Sequence, residues 1–324
     1  MKRLLTIGEL LIDWIPSERG CALKDAVHFE RAAGGAPGNV AAAFARLGGP
    51  ASMIAKVGQD AFGDHIIEIL SQSGVDVSFI FRTAEANTAL AFVSLEADGS
   101  RDFSFYRNPS ADLLLSPEEL TPAMFEECGI LHFGSVDLVD APVKEAHRRA
   151  ISLAKQAGAM ISFDPNLRLM LWDNAMHCQQ TVREFLPFAD LIKISDNELE
   201  FITGKSAPSE ASRVLFSLGC RLFLYTKGSR GAEIFTPHLH LEIPAYPVRA
   251  SDTTGAGDAF AGAFLYQLAS REIRLSQLEC LPEGLLKEAG EFACLCAAYV
   301  TTQKGGIPIM PDQRTLRRFR DTFC

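Results

Sequence analysis

A polar, glycine-rich segment runs directly into an apolar one over Ala250–Leu268, which reads ASDTTGAGDAFAGAFLYQL. Apolar residues in its second half recur on one helical face, so a tight loop feeding a buried helix is predicted. Gly255 and Gly257 carry no Cβ, which lets a bulky anion approach the backbone closely. The N–H groups of a first helical turn have no partner inside the helix and lie at the positive end of its dipole. The segment therefore predicts a phosphate-binding loop.

Asp258 follows these glycines in the first turn of the predicted helix. A carboxylate at this position can accept a proton from an attacking hydroxyl group, while the neighbouring amides stabilise negative charge on the group being transferred. Aspartate is equally common as a simple helix cap. Asp258 alone therefore fits both interpretations, and the choice between them depends on the rest of the chain.

Length, charge and cysteine usage narrow the class of protein. The 324 residues are 48% hydrophobic and 22% charged, which suits one large α/β domain or two small ones. A formal net charge of −9 argues against a nucleic-acid partner. No apolar run reaches a membrane span, and Glu9 and Asp13 interrupt the start too early for a signal peptide. The cysteines form no C-x-x-C pair and the histidines no metal-ligand spacing, so we expect reduced thiols in a cytoplasmic protein.

Buried strands alternate with helices further along the chain. Strands are predicted at Leu4–Ile15, Ala51–Val57, Ile130–Phe133, Met160–Phe163, Leu191–Ile194 and Leu222–Lys227, and helices at 141–157 and 175–187, with the last helix at Gly290–Val300. Such alternation predicts a mainly parallel sheet with helices on both faces. Two alternating runs, Thr88–Glu96 and Arg101–Arg107, are joined by turn residues 97–100 and predict a β-hairpin whose apolar face needs cover.

Two long motifs carry a family resemblance. The segment DTTGAGDAF resembles the C-terminal signature of the ribokinase-like, PfkB-type sugar kinases, and Gly34–Ala41, GGAPGNVA, resembles their N-terminal signature. The motifs stand in the right order, more than 200 residues apart, and the similarity extends over essentially the whole chain. The resemblance implies an α/β fold: a ribokinase-like three-layer αβα sandwich with a mainly parallel sheet, plus a small β-sheet lid.

The resemblance also implies a division of the chain. Residues 1–15, 34–85 and 108–324 would form the α/β core with the nucleotide and catalytic site, and residues 16–33 and 86–107 a β-sheet lid over the sugar. Lids of this family often mediate dimerisation, so a homodimer through the lid is expected.

Site residues carry over motif by motif. Asp258 would be the general base, the amides of Gly255, Ala256 and Gly257 the anion hole, and Arg168, from the segment DPNLR, a further stabiliser of the transferring phosphate. Sugar contacts are implied for Asp13, Gly34, Gly35, Asn39, Phe105, Arg107 and Asn166. The alternatives are a turn at a strand end for Asp13 and a surface salt bridge for Arg107.

Nucleotide and metal contacts are implied in the second half of the chain. Lys193, Thr226, Gly228 and Gly231 would border ATP. Glu198 would hold Mg²⁺ through water, although Ser195 stands where the family pattern N-x-x-E has asparagine. Asp252 and Thr254 match positions that hold K⁺ in some relatives, and loop hydrogen bonding explains them at least as well. Cys294 replaces an asparagine that several relatives carry beside the adenine.

Other phosphate-binding motifs are missing. The chain has no G-x-x-x-x-G-K-[ST] segment, no protein-kinase H-R-D and D-F-G pair, and no third glycine to complete a dinucleotide fingerprint. We therefore predict an ATP- and Mg²⁺-dependent sugar kinase, most like the fructokinases, that converts D-fructose to fructose 6-phosphate. The alternatives are the same chemistry on ribose, an aminoimidazole or purine riboside or 2-keto-3-deoxygluconate, and a non-catalytic sugar sensor.

Overall fold

The computed structural model describes residues 1–18, 20–95 and 101–323, which form two β-sheets and the helices packed against them. The strands are β1 (Arg3–Ile7), β2 (Leu11–Pro16), β3 (Phe29–Gly34), β4 (Ala51–Gly58), β5 (Val75–Asp76), β6 (Ile80–Thr83), β7 (Ala89–Leu95), β8 (Arg101–Tyr106), β9 (Cys128–Phe133), β10 (Met160–Phe163), β11 (Leu191–Ser195), β12 (Leu222–Thr226), β13 (Ala232–Phe235) and β14 (His240–Ile243). The helices are α1 (Ala36–Arg46), α2 (Ala61–Gln72), α3 (Pro142–Gln156), α4 (Ala175–Phe185), α5 (Leu199–Thr203), α6 (Pro208–Ser217), α7 (Ala256–Ser270), α8 (Glu283–Thr301) and α9 (Gln313–Arg320). Within the described residues, no helix has the length and apolar character needed to cross a lipid bilayer.

The large sheet forms the middle layer of the molecule. Its strands run in the order β14-β13-β12-β11-β10-β9-β1-β4-β5, with β6 also paired to β4. Strand pairs from β12 to β5 are parallel, whereas β13 and β14 are added in antiparallel fashion. One face packs on α1, α7 and α8 through side chains such as Phe44 and Phe264, and the other on α3 to α6 through side chains such as Phe163 and Phe185. These layers confirm the predicted ribokinase-like α/β sandwich.

A second, smaller sheet has the strand order β3-β2-β7-β8. Its central strands β2 and β7 are parallel, and β3 and β8 flank them in antiparallel fashion. The two predicted hairpin strands form β7 and β8, and the turn predicted at 97–100 lies outside the described residues. In the described part of the chain, four crossing segments join the two sheets, at residues 8–10, 35, 84–88 and 107–110.

The first predicted strand is wrong in its extent. Leu4–Ile15 forms two strands, β1 in the large sheet and β2 in the small one, because the backbone turns at Gly8, where φ is +146°. A Cβ at Gly8 would lie 2.8 Å from Pro37 Cγ, so only glycine fits this turn. Leu4–Ile7 and Leu10–Ile12 on either side of the turn are buried and apolar except for Thr6, so hydrophobicity alone does not reveal the break. Asp13 belongs to the small sheet and not to the end of a core strand.

The end of the chain also differs from the prediction. α8 is longer than the predicted Gly290–Val300, and α9 follows it as a further helix. Hydrophobic patterning misses α9 because Leu316 is the buried residue among its eight, while arginines dominate its exposed surface. Asp312 caps this helix by accepting the N–H of Thr315 at 2.7 Å.

Helices α1 and α7 approach each other closely because small residues line their contact. A Cβ at Gly262 would lie 2.8 Å from both Ala43 Cβ and the Val40 carbonyl oxygen. The missing side chain lets the two backbones come together. As a result, the first turns of α1 and α7 lie side by side.

Candidate active site

A cavity of about 210 Å³ lies between the two sheets, at the first turns of α1 and α7. Its wall brings together predicted site residues from distant parts of the sequence: Asp13, Gly35, Asn39, Phe105, Asn166, Arg168, Lys193, Asp252, Thr254, Gly255, Gly257 and Asp258. Other predicted residues lie outside this wall, namely Gly34, Arg107, Glu198, Thr226, Gly228, Gly231 and Ala256.

Asp258 lies in the first turn of α7 and is 9% exposed. Its Oδ2 accepts a hydrogen bond of 2.8 Å from Asn39 Nδ2 in α1. Burial raises the pKa of Asp258 to about 6, against the opposing effect of the Asn39 hydrogen bond. At neutral pH the carboxylate is therefore ionised, yet it is more basic than an exposed aspartate, which suits a general base.

Two cationic side chains contribute to the same wall. Lys193 on β11 is 6% exposed, and its Nζ lies 2.6 Å from Asp164 Oδ2. Burial acts to lower the pKa of Lys193, but the charge of Asp164 and other acids outweighs it and raises that pKa, so the lysine stays charged. Arg168 follows β10, and its Nη1 donates to the Leu167 carbonyl at 2.9 Å. Both cations thus lie where negative charge on a phosphate would be attracted.

The loop before α7 presents glycine backbone to the cavity. Gly255 has a φ of +73°, a left-handed conformation that favours glycine. A Cβ at Gly257 would lie 3.1 Å from Lys193 Nζ, so the missing side chain keeps the ammonium group close to the helix N-terminus. The Ala256 N–H already donates to the Thr253 carbonyl at 3.3 Å. Gly255 and Gly257 are therefore the members of the predicted anion hole that line the cavity.

The small sheet supplies the opposite wall. Leu11, Asp13 and Ile15 alternate along β2 and line the cavity, and Phe105 of β8 joins them. A Cβ at Gly34 would lie 2.3 Å from Asp13 Oδ2, so this glycine leaves space for the carboxylate without lining the cavity itself. The wall thus combines one acidic group with apolar side chains, a pattern typical of small-ligand sites.

Arg107 lies behind the wall. Its buried guanidinium pairs with Asp112 and Asp137, and Nη1 donates to the Val136 carbonyl at 3.4 Å. The surface salt bridge considered from the sequence is therefore wrong, because these ion pairs are 7% exposed or less.

Glu9 is a cavity residue that the sequence did not reveal. It lies between β1 and β2, is 4% exposed, and its Oε1 accepts the Ala36 N–H at 2.9 Å. Burial raises the pKa of Glu9 to about 7, against the opposing charge of Arg107. In the sequence Glu9 only interrupts an apolar run. Asp112 and Asp137 also belong to no motif, so no spacing signal groups these acids around Arg107.

Glu198, the predicted Mg²⁺ carboxylate, is oriented by hydrogen bonds. Its Oε1 accepts the Leu167 N–H at 2.6 Å, and its Oε2 accepts the N–H and Oγ–H of Ser195 at 3.0 and 2.6 Å. Such a carboxylate can accept one more bond from metal-bound water. Asp164 Oδ1 is buried without a partner among the described residues, so it offers a further oxygen. This set of oxygen donors fits Mg²⁺.

Asp252 and Thr254, the predicted K⁺ ligands, are bonded to each other. Asp252 Oδ1 accepts the N–H and Oγ1–H of Thr254 at 2.9 and 2.8 Å. This is the loop hydrogen bonding considered as the alternative role, and both residues also line the cavity.

The predicted nucleotide residues of β12 and its following turn lie away from the cavity wall. Thr226 pairs with Ser195, so the turn lies beside the end of β11. Gly228 has a φ of +54° and faces open space, whereas a Cβ at Gly231 would lie 2.1 Å from the Ile243 carbonyl oxygen. Cys294, which the resemblance places beside the adenine, is buried in α8.

Comparison with known proteins identifies the family of this chain. The family model of the pfkB carbohydrate kinases matches residues 1–313. Fructokinase-2 of Solanum lycopersicum is 42% identical over 309 residues, which cover 95% of this chain and 93% of the relative. The chain belongs to the pfkB family of carbohydrate kinases. It is therefore a phosphotransferase that acts on a sugar.

Solved structures of fructokinases resemble this pfkB kinase over nearly its whole length. A fructokinase from Xylella fastidiosa with bound ATP gives a TM-score of 0.88 at 34% identity, covering 99% of this chain and 98% of that one. A fructokinase from Vibrio cholerae O395, bound to fructose, ADP and calcium ion, gives 0.87 at 32% identity, covering 98% and 99%. The predicted fold and the predicted sugar-kinase class are thus confirmed for this pfkB kinase.

Proposed function

We propose that this protein transfers the γ-phosphoryl group of ATP to the primary hydroxyl of D-fructose and forms fructose 6-phosphate. Similarity to fructokinases, one solved with ATP and another with fructose and ADP, supports this substrate pair. The observation that carries the proposal is the hydrogen bond between Asn39 and Asp258, beside a cavity with walls from both sheets. The Asp258 carboxylate, whose pKa is raised, lies in the same cavity wall as the backbone of Gly255 and Gly257 and the cations Lys193 and Arg168, which suit a phosphate.

In the proposed reaction, Asp258 takes the proton of the sugar hydroxyl as the new oxygen–phosphorus bond forms. Asn39 holds the carboxylate through their 2.8 Å hydrogen bond. The amides of Gly255 and Gly257 receive the negative charge on the transferring group, with Lys193 and Arg168 as nearby cations. Positioning and charge stabilisation of this kind supply most of the acceleration in phosphoryl transfer.

The sugar lies against the small sheet in this proposal. Asp13 accepts hydrogen bonds from sugar hydroxyls, and Phe105 packs on the less polar side of the sugar. Gly35 lets the sugar approach the backbone, Gly34 leaves space for the Asp13 carboxylate that binds it, and Asn166 contacts the sugar from the opposite wall. All of these except Gly34 line the cavity, which supports the assignment.

The nucleotide extends from the cavity toward Thr226, Gly228 and Gly231. Glu198 and Asp164 would hold Mg²⁺, which would supply charge neutralisation at the phosphates. K⁺ is proposed at the loop of Asp252 and Thr254, which borders the phosphate-binding backbone.

A coupled ATP-to-ADP assay tests the substrate. Fructose, ribose, glucose, 2-keto-3-deoxygluconate and an aminoimidazole or purine riboside would each be offered with Mg²⁺, with and without K⁺. We expect turnover with fructose to exceed turnover with every other acceptor. A clear preference for another acceptor contradicts the fructose assignment and keeps the catalytic one. Binding of a sugar without turnover of any acceptor favours the alternative function, a non-catalytic sugar sensor.

We also propose a homodimer through the small sheet and a cytoplasmic location. Tyr106 of β8 is 63% exposed and contacts Phe92, which stacks on Trp14. Exposed aromatic side chains of this kind are enriched at protein interfaces. The described cysteines are all unpaired, which supports a reducing compartment.

A further inference from the structure

The segments that join the two sheets converge on a buried charged cluster. Glu9, Arg107, Asp112 and Asp137 form this group, which we call the hinge cluster. Glu9 belongs to the crossing segment 8–10, and Arg107 begins the crossing segment 107–110 directly after β8. Asp137 follows β9 of the large sheet. The cluster therefore lies where the chain passes from one sheet to the other.

Glu9 links two crossing segments. Its Oε1 accepts the N–H of Ala36, the first residue of α1 after the crossing at Gly35. Gly35 has no side chain to cap the helix and Pro37 has no N–H, so the Glu9 carboxylate satisfies an amide at the positive end of α1. The backbones also touch, because a Cβ at Gly35 would lie 2.3 Å from the Glu9 carbonyl oxygen.

Arg107 links a third crossing segment to the core. Its Nε donates to Asp112 Oδ2 at 3.0 Å, and Nη2 pairs with both Asp112 and Asp137. A planar guanidinium holds several acceptors in a fixed geometry that a lysine cannot reproduce. Glu9 and Arg107 thus each tie a crossing segment to a neighbouring element through direct contacts, and their opposite charges also attract each other.

We propose that Glu9 and Arg107 are positioning residues that set where the small sheet rests over the cavity. Arg107 lies outside the cavity wall, and Glu9 fixes the first turn of α1. Loss of their mutual attraction lets the small sheet move away from the core. The contacts of Asp13 and Phe105 with the sugar then weaken, while Asp258 keeps its place in α7. This inference rests on the proposed function only in the kinetic experiment, which uses fructose as the sugar.

Two substitutions change the charge or the hydrogen-bond donors of the hinge cluster while keeping side chains of similar size. Glu9→Gln keeps the size of the side chain and an oxygen acceptor for the Ala36 N–H, but removes the negative charge facing Arg107, Asp112 and Asp137. Arg107→Lys keeps the positive charge but loses the fork of donors. Glu126→Gln is the matched control, because Glu126 is exposed in the turn before β9.

The kinetic arm separates sugar binding from chemistry. In assays at about pH 8.5, where Glu9 with its pKa of about 7 is ionised, we expect Glu9→Gln to raise the KM for fructose about tenfold, equivalent to ~1.4 kcal/mol, while kcat and the KM for ATP stay within about twofold. Arg107→Lys should act in the same direction, and the double variant should lose less than the two single effects combined. An unchanged KM for fructose in both variants, or an equal loss in all three parameters, overturns the inference.

The second arm needs no substrate. Trp14 on β2 stacks on Phe92 of the small sheet with ring centroids 6.2 Å apart, and meets Phe62 of α2 edge-on at 5.9 Å. With Trp172→Phe as the background, Trp14 is the single tryptophan and reports the position of the sheet. Acrylamide should quench its fluorescence more strongly in Glu9→Gln than in the parent or the control.

The two arms distinguish failure of this inference from failure of the proposed function. Equal quenching in parent and Glu9→Gln overturns the inference, whatever the acceptor is. Stronger quenching in Glu9→Gln together with no turnover of fructose by the parent supports the hinge cluster and contradicts the fructose assignment alone.

Discussion

At the scale of single residues, the hydrogen bond between Asn39 and Asp258 joins side chains 219 positions apart and limits how far burial raises the pKa of the carboxylate. Burial favours the protonated carboxyl, whereas the donated hydrogen bond favours the carboxylate. Burial has the larger effect, so the pKa rises to about 6 but no further. Asp258 is consequently ionised at neutral pH and still able to take a proton.

Replacement of Asp258 tests its assignment as the base. We expect Asp258→Asn to lower kcat by about 10²–10⁴-fold, because proton removal is lost, while the affinity for ATP stays near that of the wild type. Steady-state assays and calorimetric titration with a non-hydrolysable ATP analogue measure the two quantities. A variant with kcat within about threefold of the wild type, under ~1 kcal/mol of barrier, would show that another group is the base.

The pH profile tests the role of Asn39. The base must be deprotonated, so kcat/KM of the wild type, which reports groups of the free enzyme, should rise with pH through about 6. Asn39→Ala removes the hydrogen bond that lowers the pKa of Asp258, so the inflection should move to higher pH. The same profile measured for the exposed control Asn197→Ala should keep the wild-type inflection. A shift to lower pH in Asn39→Ala contradicts the proposed coupling.

Site residues that belong to a motif could be predicted from the sequence, but the contacts within the hinge cluster could not. The two signatures named Asn39 and Asp258 because each stands at a fixed offset from glycines. Glu9 and Arg107 act through partners that only the crossing of the two sheets brings together, and no local pattern records that crossing. The family resemblance predicts Arg107 as a sugar contact, but no motif indicates its pairing with Asp112 and Asp137 behind the cavity wall.

At the scale of elements, the close contact between α1 and α7 determines whether the site forms. Gly262 has the Val40 carbonyl oxygen and Ala43 within 2.8 Å of the place a Cβ would take. Backbone cannot move aside as a flexible side chain can, so an added methyl group must push the two helices apart. The first turns that carry Asn39 and Asp258 would separate with them.

A pair of glycine substitutions tests this contact. Gly262→Ala should lower the free energy of unfolding by about 1–3 kcal/mol and reduce kcat, because it disturbs the Asn39–Asp258 bond. Gly284→Ala, in the exposed first turn of α8 with nothing within 4 Å, should be neutral or stabilising. Denaturant unfolding and the coupled assay compare the two variants. Equal stability of both would mean that the helices tolerate a wider spacing.

Element boundaries show where sequence patterns stop being informative. Strands β9 to β12 could be predicted because each is a short apolar run bounded by turn residues. Sequence patterns do not reveal the break at Gly8, because a segment that passes from one sheet to another can stay apolar on both sides of the turn. α9 was missed for the opposite reason, since an arginine-rich helix with one buried residue resembles a loop in composition.

At the scale of the whole molecule, the outer aromatic surface of the small sheet predicts self-association. We expect light scattering after gel filtration to give twice the monomer mass. Tyr106→Asp should shift the protein toward monomer, because it introduces a charge into the proposed interface. Met176→Asp, at a 66% exposed methionine of α4, is the control and should leave the mass unchanged. A monomeric wild type rules out the dimer.

The order in which the site's parts occur along the chain has a consequence for biosynthesis. A ribosome makes Asp13, the small sheet and Asn39 early, and makes α7 only after the large sheet has been translated. A prematurely released chain therefore lacks both the base and the helix on which α1, the carrier of Asn39, packs. Catalysis is confined to chains translated beyond α7, so incomplete products cannot consume ATP through this site.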